Sequence, residues 1–274
     1  MATAARQIRL TRPRLWQRVS TLVWLQRALW LLLPVLVFAI SRNKVGLGFA
    51  FVCAILSIAL GKALSAWEQS LRCQFVRDAA LPRHLIDKLM ETYPQLKRGD
   101  AELVMRGLRQ FFMAYLRSGG KFVGMPSKVV DTAWHEFILH TQAYQMWCDS
   151  AFGKLLHHTP AEVMKGNDNK RNDGLRRTWY WACKEESIDP RNPTRLPLLF
   201  ALDRKFDIED GYRYLADCSA IRQASANNSY CGADFSSSDS GASGDSGGFG
   251  GSESTSSADG GGDGGSDGGG CGGD

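Results

Sequence analysis

Residues 127–148 read SKVVDTAWHEFILHTQAYQMWC, and this stretch decides the fold of the central part of the chain. Apolar side chains recur in it every three or four residues, which is the spacing of one face of an α-helix. Ser127 precedes the pattern, where its hydroxyl can accept a hydrogen bond from an N–H of the first turn. The stretch predicts one long amphipathic helix whose buried face carries Val130, Trp134, Phe137, Thr141, Tyr144 and Cys148.

The segments on both sides of this stretch show the same helical spacing, and no alternating strand of convincing length appears between them. We therefore predict an all-α domain of five or six helices over residues 73–222. One of the other expected helices carries Leu85, Leu89 and Tyr93, and the next carries Val104, Leu108, Phe111, Phe112 and Tyr115. Three more are expected: one that starts at Thr159, one over Asp173–Glu186 and one over Leu196–Leu202.

Two apolar stretches precede the helical domain. Residues 22–40 read LVWLQRALWLLLPVLVFAI, and residues 45–61 read VGLGFAFVCAILSIALG. Each is near the ~20 residues that a helix needs to cross a hydrocarbon core of ~30 Å. We predict a two-helix transmembrane hairpin over residues 21–67, behind a basic segment over residues 1–20. The alternatives are a buried hairpin of a soluble protein and a cleaved signal peptide with Leu29–Ile40 as its apolar region.

The charges beside these stretches predict an orientation. Five arginines precede the first stretch and three follow the second, whereas the connecting loop carries only Arg42 and Lys44. Because cytoplasmic segments of membrane proteins are enriched in Lys and Arg, both termini are expected in the cytoplasm. The sequence thus predicts a multi-pass protein of the cell inner membrane.

The distribution of charge argues against a nucleic-acid partner. The formal net charge is +5, but all 33 Lys and Arg precede residue 223, and eight of the 28 Asp and Glu follow residue 222. Residues 1–222 therefore carry +13 and residues 223–274 carry −8. Residues 73–222 are near balance, so the folded part lacks the concentrated basic face that nucleic-acid binding requires.

The C-terminal segment and the cysteines indicate no additional folded module. Residues 223–274 consist mainly of Gly, Ser and Asp, and cannot bury enough apolar surface to offset chain entropy. We predict a disordered tail, which serves as a tether or folds back on the basic juxtamembrane region. The seven cysteines are scattered without CxxC pairs, so reduced thiols are expected.

The histidines supply the candidate chemistry. His135, His140, His157 and His158 fall within 24 residues. On a helix, Asp131 and His135 share a face, whereas His140 is turned about 140° away, toward the side of Tyr144 and Cys148. The feasible metal site therefore combines Asp131 and His135 with His157 or His158. Two imidazoles and one carboxylate suit Zn²⁺ or Fe²⁺, and the bound metal could activate water.

The same residues allow two other interpretations. In one, the imidazoles of His135 and its neighbours bond backbone carbonyls at a turn, and His157 and His158 help to cap the helix that starts at Thr159. In the other, they line a ligand pocket without a metal. The distances between the side-chain atoms decide, because ligands of one cation lie within roughly 3–4 Å of one another.

Several motifs resemble one protein family. The run Pro126–His140, followed by Tyr144, Cys148, Phe152-Gly153 and His157-His158-Thr159-Pro160, resembles the bacterial branch of the glycine-rich domain-containing proteins. The later segment Leu196–Asp203, with Gly211-Tyr212, Tyr214 and the Gly/Ser/Cys tail, is similar to the same family. The resemblance covers residues 80–274 and implies a helical fold without an assigned activity. Plant relatives tend to read Trp-His-x-His, so the ligand role of their second histidine does not carry over to Phe137.

Two functions are open on the sequence alone. One is a membrane-anchored binding or scaffold module that contacts a protein partner. The other is a membrane-associated metalloprotein, a hydrolase or an oxygenase, that uses Asp131, His135 and His157 or His158. The chain contains no complete catalytic signature, so the sequence does not establish that it is an enzyme.

Overall fold

The computed structural model describes residues Thr21, Trp24, Leu25, Ala28, 47–158, 168–216 and 229–231. These residues form seven helices and two short strands. The helices are α1 (Leu47–Asp78), α2 (His84–Thr92), α3 (Arg98–Arg117), α4 (Lys128–Leu139), α5 (Thr141–Phe152), α6 (Asp168–Glu185) and α7 (Leu198–Lys205), and the strands are β1 (Arg213–Leu215) and β2 (Ser229–Cys231). Helix α1 belongs to one compact unit, and the elements from α2 to β2 belong to a second.

Helix α1 corrects the prediction of a transmembrane hairpin. Its 32 residues begin with the apolar run Leu47–Gly61, which Lys62 interrupts. The same helix continues over Glu68 and Arg72 to Asp78. The run Leu47–Gly61 rises only about 22 Å, short of the ~30 Å hydrocarbon core. Among the described residues, none of the helices combines the length and apolar character needed to cross a membrane. The predictions of a two-helix membrane anchor and of an inner-membrane protein with both termini cytoplasmic are therefore wrong, and most of residues 22–40 lies outside the described residues.

The unit formed by α2 to β2 is built around α3. Helix α3 packs against α2, α4, α6 and α7, and it ends where Gly119 and Gly120 adopt positive φ angles of 69° and 75°. One aromatic cluster fills the space between α3, α4 and α5, where the ring centroids of Phe112 and Trp147 are 4.6 Å apart. A second cluster joins α6, α7 and β1 through Trp179, Phe200 and Tyr214. The predicted helical domain is thus confirmed as helical.

The long helix predicted over residues 127–148 is two helices. Its backbone breaks at His140, where φ is −86° and ψ is 58°. The His140 N–H donates to Phe137 O at 3.2 Å, and the next helix restarts as the Tyr144 N–H donates to His140 O. The apolar spacing survives the break, because Phe137 and Tyr144 are both buried with their ring centroids 5.2 Å apart.

Backbone N–H groups at the start of α4 and of α7 donate to side chains from distant parts of the chain. The buried carboxylate of Asp203 accepts the Lys128 N–H at 2.7 Å and the Val129 N–H at 3.1 Å, at the first turn of α4. It also accepts the Ser127 hydroxyl at 2.7 Å and the Tyr212 N–H at 2.9 Å. Ser127 itself caps α4 as predicted, because its hydroxyl accepts the Val130 N–H at 3.4 Å.

At the start of α7, two side chains share the corresponding role. Glu186 accepts the Leu198 N–H at 2.5 Å, and the side-chain carbonyl of Gln110 accepts the Leu199 N–H at 2.9 Å. The Gln110 amide in turn donates to Glu186 at 2.9 Å. The free N–H groups of this helix end are thereby satisfied from α3 and from the chain that follows α6.

Helix α6 lies close to the segment before α4. The Thr178 hydroxyl donates to Gly124 O at 2.8 Å, and the buried Arg177 donates to Phe122 O. A Cβ atom added at Gly174 would come within 2.4 Å of the Phe122 ring and 2.9 Å of the Gly124 nitrogen. Glycine is therefore required at position 174 by the close approach of the two backbones.

Two details depart from the sequence predictions. Strand β1 pairs in parallel with β2, in the register Tyr214↔Tyr230, so residues 229–231 of the predicted disordered tail form a strand. Cys73 is disulfide-bonded, which corrects the expectation that the cysteines are reduced, whereas Cys148 and Cys183 are free thiols. The helix predicted to start at Thr159 and the remainder of the tail lie outside the described residues.

Candidate metal centre

Asp131 and His135 lie on one face of α4, one turn apart. Asp203 and Ser127 fix the start of this helix, so hydrogen bonds at its first turn set the position of Asp131, which lies in that turn. The Asp131 Oδ2 atom lies 3.5 Å from His135 Nδ1. The i, i+4 spacing therefore brings the two side chains together, as the sequence predicts.

A loop after α5 brings a second histidine to this face. Helix α5 ends at Phe152, where Gly153 takes the left-handed conformation with φ of 74° and turns the chain back. The Trp134 indole N–H donates to the Tyr144 hydroxyl at 3.0 Å, and that hydroxyl donates to Leu156 O at 2.6 Å. These buried bonds attach the loop to α4 and α5 two residues before His158.

His158 rather than His157 completes the group. The His158 ring lies edge-on to Trp134 with centroids 4.7 Å apart, and its Nε2 is 3.1 Å from Asp131 Oδ1. The imidazoles of His135 and His158 also face each other, with centroids 4.2 Å apart. His157 is exposed and lies outside the group.

The three side chains form an arrangement that could hold a metal ion. One ligand atom from each of Asp131, His135 and His158 can be chosen so that all lie within 4.8 Å of one another. The spacing in a metal complex is roughly 3–4 Å, so a cation could be enclosed by side-chain rotations that move the ligand atoms by about 1 Å. The imidazoles of His135 and His158 in this group both lie beside the Asp131 carboxylate.

The candidate centre is open on one side and closed on the other. The side chain of His135 is 52% exposed and that of Asp131 is 31% exposed, whereas that of His158 is 14% exposed. His158 is therefore held by packing, and His135 faces water. A cation in this position could keep one or more water ligands.

The free cysteines do not take part in this centre. Cys148 is buried beside Tyr144 and the loop, and burial raises the pKa of its thiol to about 11. Burial likewise raises the pKa of Cys183 to about 12, and that of the Tyr144 hydroxyl above its ordinary range. Cys148 lies outside the group of possible ligand atoms, and its buried thiol packs against its neighbours.

His140 belongs to a different contact. It lies at the break between α4 and α5, where its Nδ1 is 3.0 Å from Glu136 O and 3.2 Å from Nε2 of His84. The sequence predicts His140 on the side of Tyr144 and Cys148 and indicates no role for His84. A pairing across 56 residues has no local sequence signal, so only the packing of α2 against α4 reveals it.

The comparisons with known proteins identify a family for this chain. No curated protein and no solved structure shows detectable similarity to the chain. A family model described as UCP032817-like matches residues 71–235, a range that contains α2 to α7, both strands and the candidate metal centre. Because the match spans more than half of the 274 residues, the chain belongs to the UCP032817-like family.

Proposed function

We propose that this protein binds one divalent transition-metal cation through Asp131, His135 and His158. The observation that carries the proposal is the convergence of the three ligand atoms within 4.8 Å. Two imidazole nitrogens and a carboxylate oxygen form a donor set that suits Zn²⁺ and Fe²⁺ better than the hard cations Mg²⁺ and Ca²⁺, which take mainly oxygen ligands.

The exposed side of the centre gives the cation a chemical role. Three protein ligands leave at least one coordination position, which water can reach on the side of His135. Zinc in that setting lowers the pKa of its bound water and supplies a nucleophile near neutral pH, whereas ferrous iron offers its open positions to a small ligand. The proposal therefore favours a metalloprotein over a scaffold module.

The support from the surrounding packing is the fixed position of His158. Its ring is held against Trp134, and its loop is tied down through Tyr144 and Leu156. A ligand held by buried neighbours loses little conformational freedom when a metal binds, which favours affinity.

We also infer membership of the bacterial glycine-rich domain-containing family, on the motif from Pro126 to Pro160 and the composition of residues 223–274.

The adjacent histidines provide a matched pair of variants for the test. Full-length protein, stripped with a chelator, is titrated calorimetrically with Zn²⁺ and, without oxygen, with Fe²⁺, using Mg²⁺ as the hard-cation control. Wild-type protein and His157→Ala should bind one equivalent of Zn²⁺ or Fe²⁺. His158→Ala should weaken binding at least about tenfold, because it removes a ligand whereas His157→Ala does not.

A thermal measurement gives a second readout. At a free metal concentration about 100 times the Kd, binding stabilises the fold by about 2.7 kcal/mol, which raises Tm by about 5–10 °C for a chain of this size. The proposal fails if wild-type protein takes up no Zn²⁺ or Fe²⁺, or if His157→Ala and His158→Ala weaken binding equally.

A further inference from the structure

Helices α2 and α4 run antiparallel and are joined at both ends by side-chain contacts. At the end of α2, the Tyr93 hydroxyl is 3.0 Å from Thr132 Oγ1, near the start of α4. At the start of α2, His84 meets His140, directly after the end of α4. The first pair consists of two hydroxyl groups, whereas the second consists of two imidazoles, the side chains whose ordinary pKa lies near neutral pH.

The two imidazoles are close enough that their proton count matters. Their ring centroids are 3.9 Å apart with a tilt of 39°, and His84 Nε2 is 3.2 Å from His140 Nδ1. His140 Nδ1 also lies 3.0 Å from the Glu136 carbonyl oxygen, which can only accept a hydrogen bond. In the tautomer that satisfies this carbonyl, His140 carries its proton on Nδ1, and the facing nitrogen of His84 is a bare acceptor.

A further proton on His84 is incompatible with this contact. It would place two N–H groups opposite each other at 3.2 Å and bring positive charge against the neighbouring ring. If His140 were protonated as well, two cations would lie with ring centroids 3.9 Å apart. Like charges at that distance repel, and the half-buried setting screens them less than water does.

The charges that face His84 come from both helices. Burial and then the neighbouring His140 lower the pKa of His84, while Glu136 on α4 and Asp87 on α2 raise it, and the net shift is downward. A lowered folded pKa means that the unfolded chain binds protons more readily than the folded one. The contribution of this contact to stability is therefore complete above the ordinary imidazole pKa of about 6.5 and is lost as pH falls below it.

We propose that the His84–His140 contact is an acid-sensitive clasp, which holds the first turn of α2 to the α4–α5 corner and opens when His84 gains a proton. The Tyr93–Thr132 hydrogen bond keeps the other end of α2 in place when the clasp opens. Acidification thus loosens one end of one helix rather than the whole unit.

Hydrogen exchange tests this clasp. Exchange of the metal-free full-length protein is measured by mass spectrometry at pH 7.5 and pH 5.0, and the rates are corrected for intrinsic exchange. Amides in the first half of α2 should lose at least about tenfold in protection at pH 5.0 relative to those of α3. His84→Gln and His140→Gln each remove a titrating ring and should abolish this pH dependence. His157→Gln, which replaces an exposed histidine, should retain it.

A titration of the wild-type histidines by NMR provides a readout that does not depend on folded variants. The resonance of His84 should titrate with a midpoint below the ordinary imidazole pKa of about 6.5. The clasp is refuted if the midpoint of His84 lies at or above that ordinary value, or if α2 keeps its protection at pH 5.0. It is also refuted if both glutamine variants lose protection on acidification as wild-type protein does.

Discussion

Replacement of Asp203 by alanine should be among the most destabilising single changes in the helical unit. The side chain is only 2% exposed and accepts four hydrogen bonds, three of them from the backbone N–H groups of Lys128, Val129 and Tyr212. A buried donor left without an acceptor costs about 1–3 kcal/mol. Because water can enter the space left by the carboxylate, we expect a loss of about 3–5 kcal/mol rather than the full sum of the three costs.

Urea unfolding, followed by circular dichroism at 222 nm on full-length protein, measures this loss. With a slope of about 2 kcal/mol/M, Asp203→Ala should lower the midpoint by about 2 M. Asp203→Asn should fall between it and wild-type protein, because one amide group replaces an oxygen that accepts two bonds. The matched control is Asp100→Ala, which removes a single exposed bond to the Lys97 N–H and should cost about 0.5–1 kcal/mol.

One comparison decides whether Asp203 caps α4. If Asp203→Ala shifts the midpoint no more than Asp100→Ala does, the buried carboxylate is not the acceptor that stabilises the start of α4. A second consequence follows at the candidate metal centre. Loosening of the first turn of α4 displaces Asp131, so metal affinity should fall in Asp203→Ala even though Asp203 is no ligand.

Two further predictions concern packing and thiol chemistry. Gly174→Ala should destabilise the protein by about 1–3 kcal/mol in the same urea assay, because the new Cβ meets the Phe122 ring and the Gly124 backbone. The control Gly99→Ala should be neutral or slightly stabilising, because a Cβ atom there has nothing within 4 Å. Cys148 and Cys183 should resist alkylation at pH 7.5 in folded protein and react after urea unfolding, as measured by peptide mass spectrometry. Burial raises their pKa values to about 11 and about 12, so little thiolate is present in the folded protein. Rapid labelling of either thiol in folded protein at pH 7.5 would contradict this.

The sequence predicts local helices well because apolar periodicity reports which side of a helix is buried. It places Val130, Trp134 and Phe137 in the core, and the structure buries all three. The break at His140 escapes such an analysis, because it accompanies a contact with His84, 56 residues away. The transmembrane prediction over residues 21–67 is wrong for a related reason, since the apolar pattern before Lys62 does not show that the same helix continues over charged residues to Asp78.

The candidate site divides in the same way between local and distant information. The i, i+4 spacing brings Asp131 and His135 together without knowledge of the tertiary fold. The choice of His158 over His157 depends on the bonds of Tyr144 to Trp134 and Leu156, which only the folded loop reveals. Strands of three residues, such as β1 and β2, are too short to show an alternating pattern.

The acceptors that begin α4 and α7 also set an order of events during folding. The first turn of α4 depends on Asp203, about 75 residues further along the chain, and the start of α7 depends on Gln110, 89 residues before it. Until these segments meet, both helix ends carry N–H groups that only water satisfies, so the start of α4 stays incomplete in a growing chain that has not yet reached Asp203. Closing such long loops must precede the gain in hydrogen bonding, which favours slow folding in one cooperative step. A chain released before residue 203 should therefore hold nascent helices without a settled core, and it should be more sensitive to proteases than the chain that includes Asp203.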